Sequence, residues 1–411
     1  MREDAAVNPD AAVSPNLDWL HIPAATVDLE AREAAISRQG ELTKPPGSLG
    51  RLEDIAIQLA ALQGRAQPAL ERVQIVVFAA DHGVAAAGVS AFPQAVTAQM
   101  IANMAAGGAA ISVLAQQIGA EIELINLGTV APVPAHPLIR QAVIAAGTAN
   151  LAEAPAMSSE QLAQALAEGA AAVERARAAG TELFIAGEMG IGNTTAATAL
   201  TCALLGLPVA ELVGPGTGLD RAGIERKRAL IEQALALHRG PLDGSLDHRL
   251  NGPLDAPPNA LLDGLLDSPL NEPAPASIKT PGKASLQAPI KALADLGGFE
   301  IAAMAGAYIT CAQQRLPMLI DGFISSAAAL VATRICPGAA DWMLLAHASA
   351  EPGHRAMVEA IGARPLLDLG MRLGEGSGAA AAVPLLRLAC ALHAQMATFA
   401  EAGVAAKDSP A

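Results

Sequence analysis

Large rings are almost missing from this chain: 411 residues carry six Phe, two Trp and one Tyr. Hydrophobic residues nevertheless make up 52% of it, so the interior must be filled by Ala, Leu, Ile, Val and Met. Small side chains of that kind suit helices packed closely on a sheet, and the length suffices for one large core or an α/β domain plus a small one. Basic residues are also short, 26 Lys and Arg against 40 Asp and Glu, a net charge of −14. That excludes a general nucleic-acid binder with a basic face and leaves room for a local anion site. The four cysteines, Cys202, Cys311, Cys336 and Cys390, form no C-x-x-C pair and sit in apolar settings, which predicts buried free thiols. The eight histidines are scattered, with no H-x-x-x-H or H-E-x-x-H, so neither a metal nor a cofactor is expected. Apolar runs such as Phe323 to Val331 are too short for a membrane span, and the acidic start Met1-Arg2-Glu3-Asp4 is no signal peptide. A soluble cytoplasmic protein is expected.

What is present centres on Gly187-Glu188-Met189-Gly190-Ile191-Gly192-Asn193-Thr194-Thr195. An apolar strand-like run, Leu183 to Ala186, precedes it, and an Ala-rich helical stretch, Ala196 to Leu205, follows. A strand, a glycine turn and a helix start let backbone N–H groups and the helix dipole meet an anion. Asn193, Thr194 and Thr195 add a cap and hydroxyl donors. The order G-x-x-G-x-G is not the dinucleotide fingerprint, and no P-loop Lys follows. The simpler reading is a capped βα turn with a solvated Glu188. The richer one is an anion cradle with a carboxylate beside it for chemistry.

Along the chain, residues 1–28 are rich in Ala, Pro, Asp and Asn and are expected to be loosely ordered. Leu29 to Arg38 has helical spacing, and Lys44-Pro45-Pro46-Gly47-Ser48-Leu49-Gly50 turns into an amphipathic helix over Leu52–Leu62. A plain connector explains that turn, although exposed Lys44 and Arg51 could face a phosphate. Val73–Ala80 reads as the first buried strand and ends in Asp81-His82-Gly83, polar residues where parallel sheets bind ligands. A helix from Phe92-Pro93-Gln94 through Met100 to Gln116 carries Ala106-Gly107-Gly108-Ala109, a tight contact or a break. Further strands are expected at Ile122–Leu127, Val143–Ala146, Leu316–Ile320 and Trp342–Ala346, with a helix from Ser158-Ser159-Glu160 to Ala179. Gly214-Pro215-Gly216-Thr217-Gly218 is a second glycine loop before a helix, which strengthens the case for a phosphorylated ligand. Residues 239–285 repeat Pro-Leu-Asp and Leu-Leu-Asp units, a low-complexity insertion without chemistry, and order is expected to resume at Pro289. Six strands alternating with helices predict an α/β fold with a doubly wound parallel sheet. Helices at both chain ends, 29–70 and 351–403, would form a small helical domain beside an α/β domain at 71–350.

Six blocks in order resemble the nicotinate-nucleotide–dimethylbenzimidazole phosphoribosyltransferase family. They are Lys44–Gly50, Ala80–Val84, Gly187–Gly190 with Asn193–Thr195, Gly297–Glu300, Leu319–Phe323 and Arg372–Gly378. The resemblance covers about Leu29 to Ala400 without the insertion. It implies a Rossmann-like sheet, a small helical domain and a homodimer. It also implies transfer of the phosphoribosyl group of nicotinate mononucleotide to a benzimidazole base, for the lower nucleotide loop of cobalamin. In this resemblance Glu375 is the general base. Glu188, on the glycine turn, is separately expected to be a second carboxylate that steadies charge on the ribose or positions the base. The phosphoribosyl group is expected against Gly190, Gly192, Asn193, Thr194, Gly216, Thr217 and Gly218. The base pocket is expected to include Asp81, His82, Phe92, Met100, Met189 and Leu373. The acceptor stays open between dimethylbenzimidazole, another benzimidazole and a purine-like base. An N-ribosyl hydrolase and a non-catalytic nucleotide binder are the competing readings.

Overall fold

The computed structural model describes residues 17–238 and 283–405, with the side chains of residues 283–285 outside the description. The repeats of residues 239–282 and the first 16 residues also lie outside it. The first half of the elements runs α1 (Leu29–Glu41), α2 (Arg51–Gln63), β1 (Val73–Ala80), α3 (Ala95–Ala105), α4 (Ala110–Ile118), β2 (Glu121–Gly128), β3 (Ile139–Gln141) and α5 (Ser159–Ala178). Then come β4 (Leu183–Met189), α6 (Asn193–Leu205), α7 (Val209–Leu212), α8 (Arg221–Leu237), α9 (Lys283–Leu296), α10 (Phe299–Gln313), β5 (Met318–Ile320) and α11 (Phe323–Ile335). β6 (Met343–Leu345), α12 (His354–Ile361), α13 (Ser377–Gln395) and α14 (Phe399–Ala402) complete the chain.

All strand pairs are parallel, in the order β3-β2-β1-β4-β5-β6. This is the doubly wound order whose switch point lies between the first and fourth strands, and ligands collect there at the carboxyl ends. In register, Phe78 stands beside Glu188 and Ala79 beside Met189, so the organising glycine turn leaves the sheet at that switch point. The central strands β1 and β4 are almost wholly apolar and buried because both faces are covered. α10 lies on β1 and β4 with α5 against it, while α3, α4 and the start of α13 cover the other side.

Small residues set how closely these layers approach. A Cβ on Gly169 of α5 would collide with the Ala303 carbonyl of α10, and one on Gly306 of α10 with the Leu166 carbonyl of α5. The two glycines are thus reciprocal contacts of one helix crossing. α5 opens with a capping box in which Ser158 accepts from Gln161 N and the Gln161 side chain accepts from Ser158 N.

Both chain ends meet. Leu42 bridges Thr398, and Arg38 donates to the carbonyls of His393, Ala394 and Met396. Arg387 of α13 donates to Leu70, Glu71 and Ile118 carbonyls, fastening that helix to the sheet's margin. By length and composition, Ala95–Ile118 and Ser377–Gln395 are apolar enough to cross a membrane. The first stretch is broken at residues 106–109, and the second packs on α2 and α4.

Several expectations are corrected. The third strand is Ile139–Gln141, whereas residues 143–146 only trail along β2 through the Ala142 and Ile144 N–H groups, with Val143 exposed. The stretch from Phe92 to Gln116 is two helices, separated where Gly107 turns to φ +84°. Residues 17–28 pack on the body: Leu20 is buried, Gln313 donates to the Trp19 and Ile22 carbonyls, and Trp342 donates to Ala25. Lys44 is buried rather than exposed, 2.8 Å from Glu53, which also receives the Gly47 and Leu49 N–H groups. Arg51 is turned to the Arg364 and Pro365 carbonyls. Neither cation lines the cavity described below. α9 begins at Lys283 and carries Pro289 within it.

Because backbone rather than a flexible side chain blocks the space at Gly169, Gly169→Ala should destabilise the protein by about 2–3 kcal/mol, the upper part of the overpacking range. Chemical denaturation checks this through a lower midpoint at unchanged m.

Candidate active site

A cavity of about 620 Å³ opens at the carboxyl ends of β4, β5 and β6, with α3 on its other side. A smaller cleft, about 380 Å³, lies at the opposite end of the sheet among Arg65, Arg72, Arg177 and Arg315. The larger one holds the buried carboxylates and occupies the switch point, and the chemistry is assigned to it.

β4 delivers Glu188 to the cavity wall, and Asn193 Nδ2 donates to Glu188 Oε2 from the first turn of α6. Burial, with Glu300, Asp321 and Glu375 nearby, pushes the Glu188 carboxyl well above its ordinary value. Glu375 reaches the same wall from the turn before α13. Residues 374, 375 and 376 have φ of +89°, +65° and +86°, three left-handed residues in succession. Glycine takes that conformation freely and Glu does not. Among the described residues, the only other non-glycine with positive φ is Arg315. Gly187 of β4 makes the turn possible, since a Cβ there would collide with the Glu375 carbonyl. Burial pushes the Glu375 carboxyl up, the Ile111 N–H at the start of α4 draws it down, and Asp321 adds a smaller upward push. Glu375 Oε2 is buried and has no hydrogen-bond partner.

The glycine turns contribute differently. Gly190, Asn193, Thr194, Gly216 and Thr217 all line the cavity. Gly192 and Gly218 do not: Gly192 faces His82 and Ala85 behind the wall, and Gly218 lies exposed at the outer side of its loop. Phe92, Met100, Met189 and Leu373 line the cavity, Phe92 and Leu373 from its exposed rim.

Asp81 and His82 are fully buried and are not on the cavity wall. Asp81 accepts from Thr97 Oγ1 at 2.6 Å and from Val130 N at 2.9 Å. His82 Nε2 lies 2.6 Å from Glu300, its ring wedged between Gly190 and Gly298. They brace the turn from behind, and their partners come from elements remote in sequence.

A buried cation behind the cavity wall was not expected from the sequence. Lys227 of α8 is fully buried, its ammonium donating to Thr194 Oγ1 at 2.9 Å and the Gly214 carbonyl at 3.2 Å. Burial brings its pKa down to about 8, while Glu351 opposes the shift. It sits directly behind Thr194 and Gly216, joining the two glycine loops. Arg372 lines the cavity and donates to the Gly216 carbonyl. Asp321, His347, Ser349 and Glu351 complete the wall near β5 and β6. Asp321 belongs to the Leu319–Phe323 block, whereas Lys227 looks like any helical lysine in sequence.

The family described as phosphoribosyltransferase (DBI_PRT) matches residues 24–249 and 276–404. The chain is 54% identical over 389 residues to the nicotinate-nucleotide–dimethylbenzimidazole phosphoribosyltransferase of Ectopseudomonas mendocina (strain ymp), covering 95% of this chain and 98% of that protein. The protein of the same name from Pseudomonas aeruginosa (strain UCBPP-PA14) is 53% identical over 396 residues, 96% of this chain and 100% of its own length. Among solved structures, CobT from Thermus thermophilus superposes with a TM-score of 0.77 at 44% identity, covering 92% of this chain and 99% of that one.

Gly187→Ala should force the Glu375 carbonyl off β4 and lower kcat by about 100-fold or more, since an error of about 1 Å in placing a reacting group has that effect. Steady-state kinetics on protein with a native circular-dichroism spectrum checks this.

Proposed function

This chain belongs to the DBI_PRT phosphoribosyltransferase family, and we propose that it moves the 5-phosphoribosyl group from nicotinate mononucleotide to 5,6-dimethylbenzimidazole or a related base. The products are α-ribazole 5′-phosphate and nicotinate, for the lower nucleotide loop of cobalamin. The enzyme is a pentosyltransferase that works on small molecules. In this reading 29–70 and 351–403 form a small helical domain, and 71–350 the nucleotide-binding domain. The enzyme acts in the cytoplasm as a homodimer. Exposed Val113 and Leu388, on the neighbouring helices α4 and α13, suit an interface with a second copy.

The observation that carries the mechanism is Glu375 Oε2, a buried carboxylate oxygen without a partner, held on a left-handed turn at the cavity wall. In the nucleotide the nicotinate ring is a pyridinium. It leaves as a neutral ring by taking back the C1′–N electron pair, so no general acid is required. One nitrogen of the benzimidazole attacks C1′ while the other gives its proton to Glu375. One carboxylate base therefore suffices, unlike the pair used in glycoside hydrolysis. Attack opposite the departing ring inverts C1′ from β to α.

The two glycine loops hold the phosphate through Gly190, Asn193, Thr194, Gly216 and Thr217, and Lys227 supplies the countercharge behind them. Glu188 faces the sugar. Its carboxyl lies among other carboxylates, so it gains from any cation placed beside it. The pyridinium of the substrate and the positive charge that develops at C1′ both provide one. Phe92, Met100, Met189 and Leu373 offer the apolar surface for the flat acceptor.

The first test is nicotinate release from nicotinate mononucleotide, with and without 5,6-dimethylbenzimidazole. Wild type should release nicotinate only with the base, and Glu375→Gln should lower kcat by about 10²–10⁴-fold. Release without base would identify a hydrolase, and no release with any base a binding protein. The base works ionised, so kcat/KM should rise as pH climbs through the Glu375 pKa. That limb should lie above the ordinary carboxylate range and vanish in Glu375→Gln. Lys227 supplies its countercharge from behind the glycine loops as the ammonium, so kcat/KM for the nucleotide should fall above about pH 8. Lys227→Met should raise the KM for nicotinate mononucleotide about 10–100-fold, the loss of one charged hydrogen bond, and remove the alkaline limb. Light scattering at twice the chain mass checks the dimer.

A further inference from the structure

α13 begins without a cap of its own. Its N-cap is Gly376, required there by φ +86° and unable to offer a side-chain acceptor. Helices leave their first N–H groups without intrahelical partners, and an Asp, Ser or Thr at the N-cap ordinarily receives one of them. Here the acceptor comes from another element. Asp321, just past β5, takes the Ala379 N–H on Oδ1 at 2.8 Å and the Gly376 N–H on Oδ2 at 3.2 Å. The Ala379 N–H is the third of the helix, the group that an N-cap side chain would have bound.

Asp321 lines the cavity and is fully buried, so it could be mistaken for a second base. Its two oxygens are occupied by backbone donors, whereas Glu375 keeps one oxygen free. His347 backs the arrangement, with Nε2 3.7 Å from Asp321 Oδ1. Its ring is seated between Gly322 and Gly378, where added Cβ atoms would press on it. β5 and β6 thereby fix the first turn of α13 from the sheet side, while Gly187 receives the Glu375 carbonyl from β4.

We infer that Asp321 is a positioning residue for Glu375: it caps α13 from across the fold and so holds residue 375 in the left-handed conformation that sets its carboxylate at the cavity wall. The inference rests on Glu375 being the base. Asp321 contributes through the turn and takes no proton in the reaction.

The test is a double-mutant cycle of Asp321→Asn and Glu375→Gln in the full-length enzyme. Asn keeps the shape but offers one carbonyl oxygen to two donors. Asp321→Asn should lower kcat about 10–100-fold, the loss of a charged hydrogen bond, with KM for nicotinate mononucleotide within about 3-fold of wild type. In the Glu375→Gln background the same change should cost less than about 2-fold, because the group it positions is already gone. Wild-type kcat in Asp321→Asn, or full multiplication of the two losses in the double variant, would overturn the inference. Wild-type turnover by Glu375→Gln alone would instead remove the reading of Glu375 as the base. If Asp321→Asn does not fold, Asp321→Glu keeps the charge but lengthens the arm by one methylene. A loss of kcat at constant KM in that variant supports the inference, and unchanged kcat overturns it.

Discussion

The site depends on one close approach, the Glu375 carbonyl resting on the Cα of Gly187 in the middle of a parallel strand. A loop seldom lies directly on a buried strand, because side chains keep it away. Here a strand glycine and a run of left-handed residues remove that obstacle together. The turn that carries Glu375 is consequently referenced to the sheet itself. Everything around it serves that contact: the glycine turn after β4 supplies the opposite wall, and β5 supplies Asp321. α13 carries the reference outward to the helices of both chain ends. Left-handed backbone at a non-glycine residue costs roughly 1–3 kcal/mol and persists only where neighbours over-determine it.

The scarcity of rings and the wealth of Ala and Gly acquire a structural reason from the same principle. Gly169 and Gly306 let α5 and α10 approach backbone to backbone, and Ala is the commonest residue of α10, α11 and α13. Small residues give up buried area per side chain and recover it as many short-range contacts. The cavity is the place where that close packing opens. Of the apolar side chains that border it, Phe92 and Leu373 stand exposed at the rim, Met100 and Met189 are half-buried, and Phe323 and Ile324 belong to the core.

Much of this was legible because it is written locally. A strand, a glycine turn and a capping Asn-Thr-Thr occupy consecutive positions, and so do Gly374-Glu375-Gly376 and the helix after them. Apolar runs located five of the six strands; the third was displaced because an edge strand of three residues is held mainly by one register with β2. What escaped was long-range. Asp81 and His82 read as ligand contacts at a strand end, yet Thr97, Val130 and Glu300 claim them. Lys44 read as a surface cation until Glu53, one helical turn beyond the glycine bend, drew it inward. Lys227 is the single lysine of a charged helix, Arg221 to Leu237, and only the return of α8 toward α6 brings it behind the cavity wall.

The crowding of carboxylates around the cavity bears on how the proposed reaction ends. Glu188, Glu300, Asp321 and Glu375 share a small buried region. The pyridine ring enters as a zwitterion, its own carboxylate balanced by the ring cation, and such a group can be tolerated among acids. Once the bond to C1′ breaks, the cation is gone and the ring is a plain anion. In the proposed reaction the departing nicotinate thus loses the cation that suited it to this acidic wall, and its return to attack the product is disfavoured.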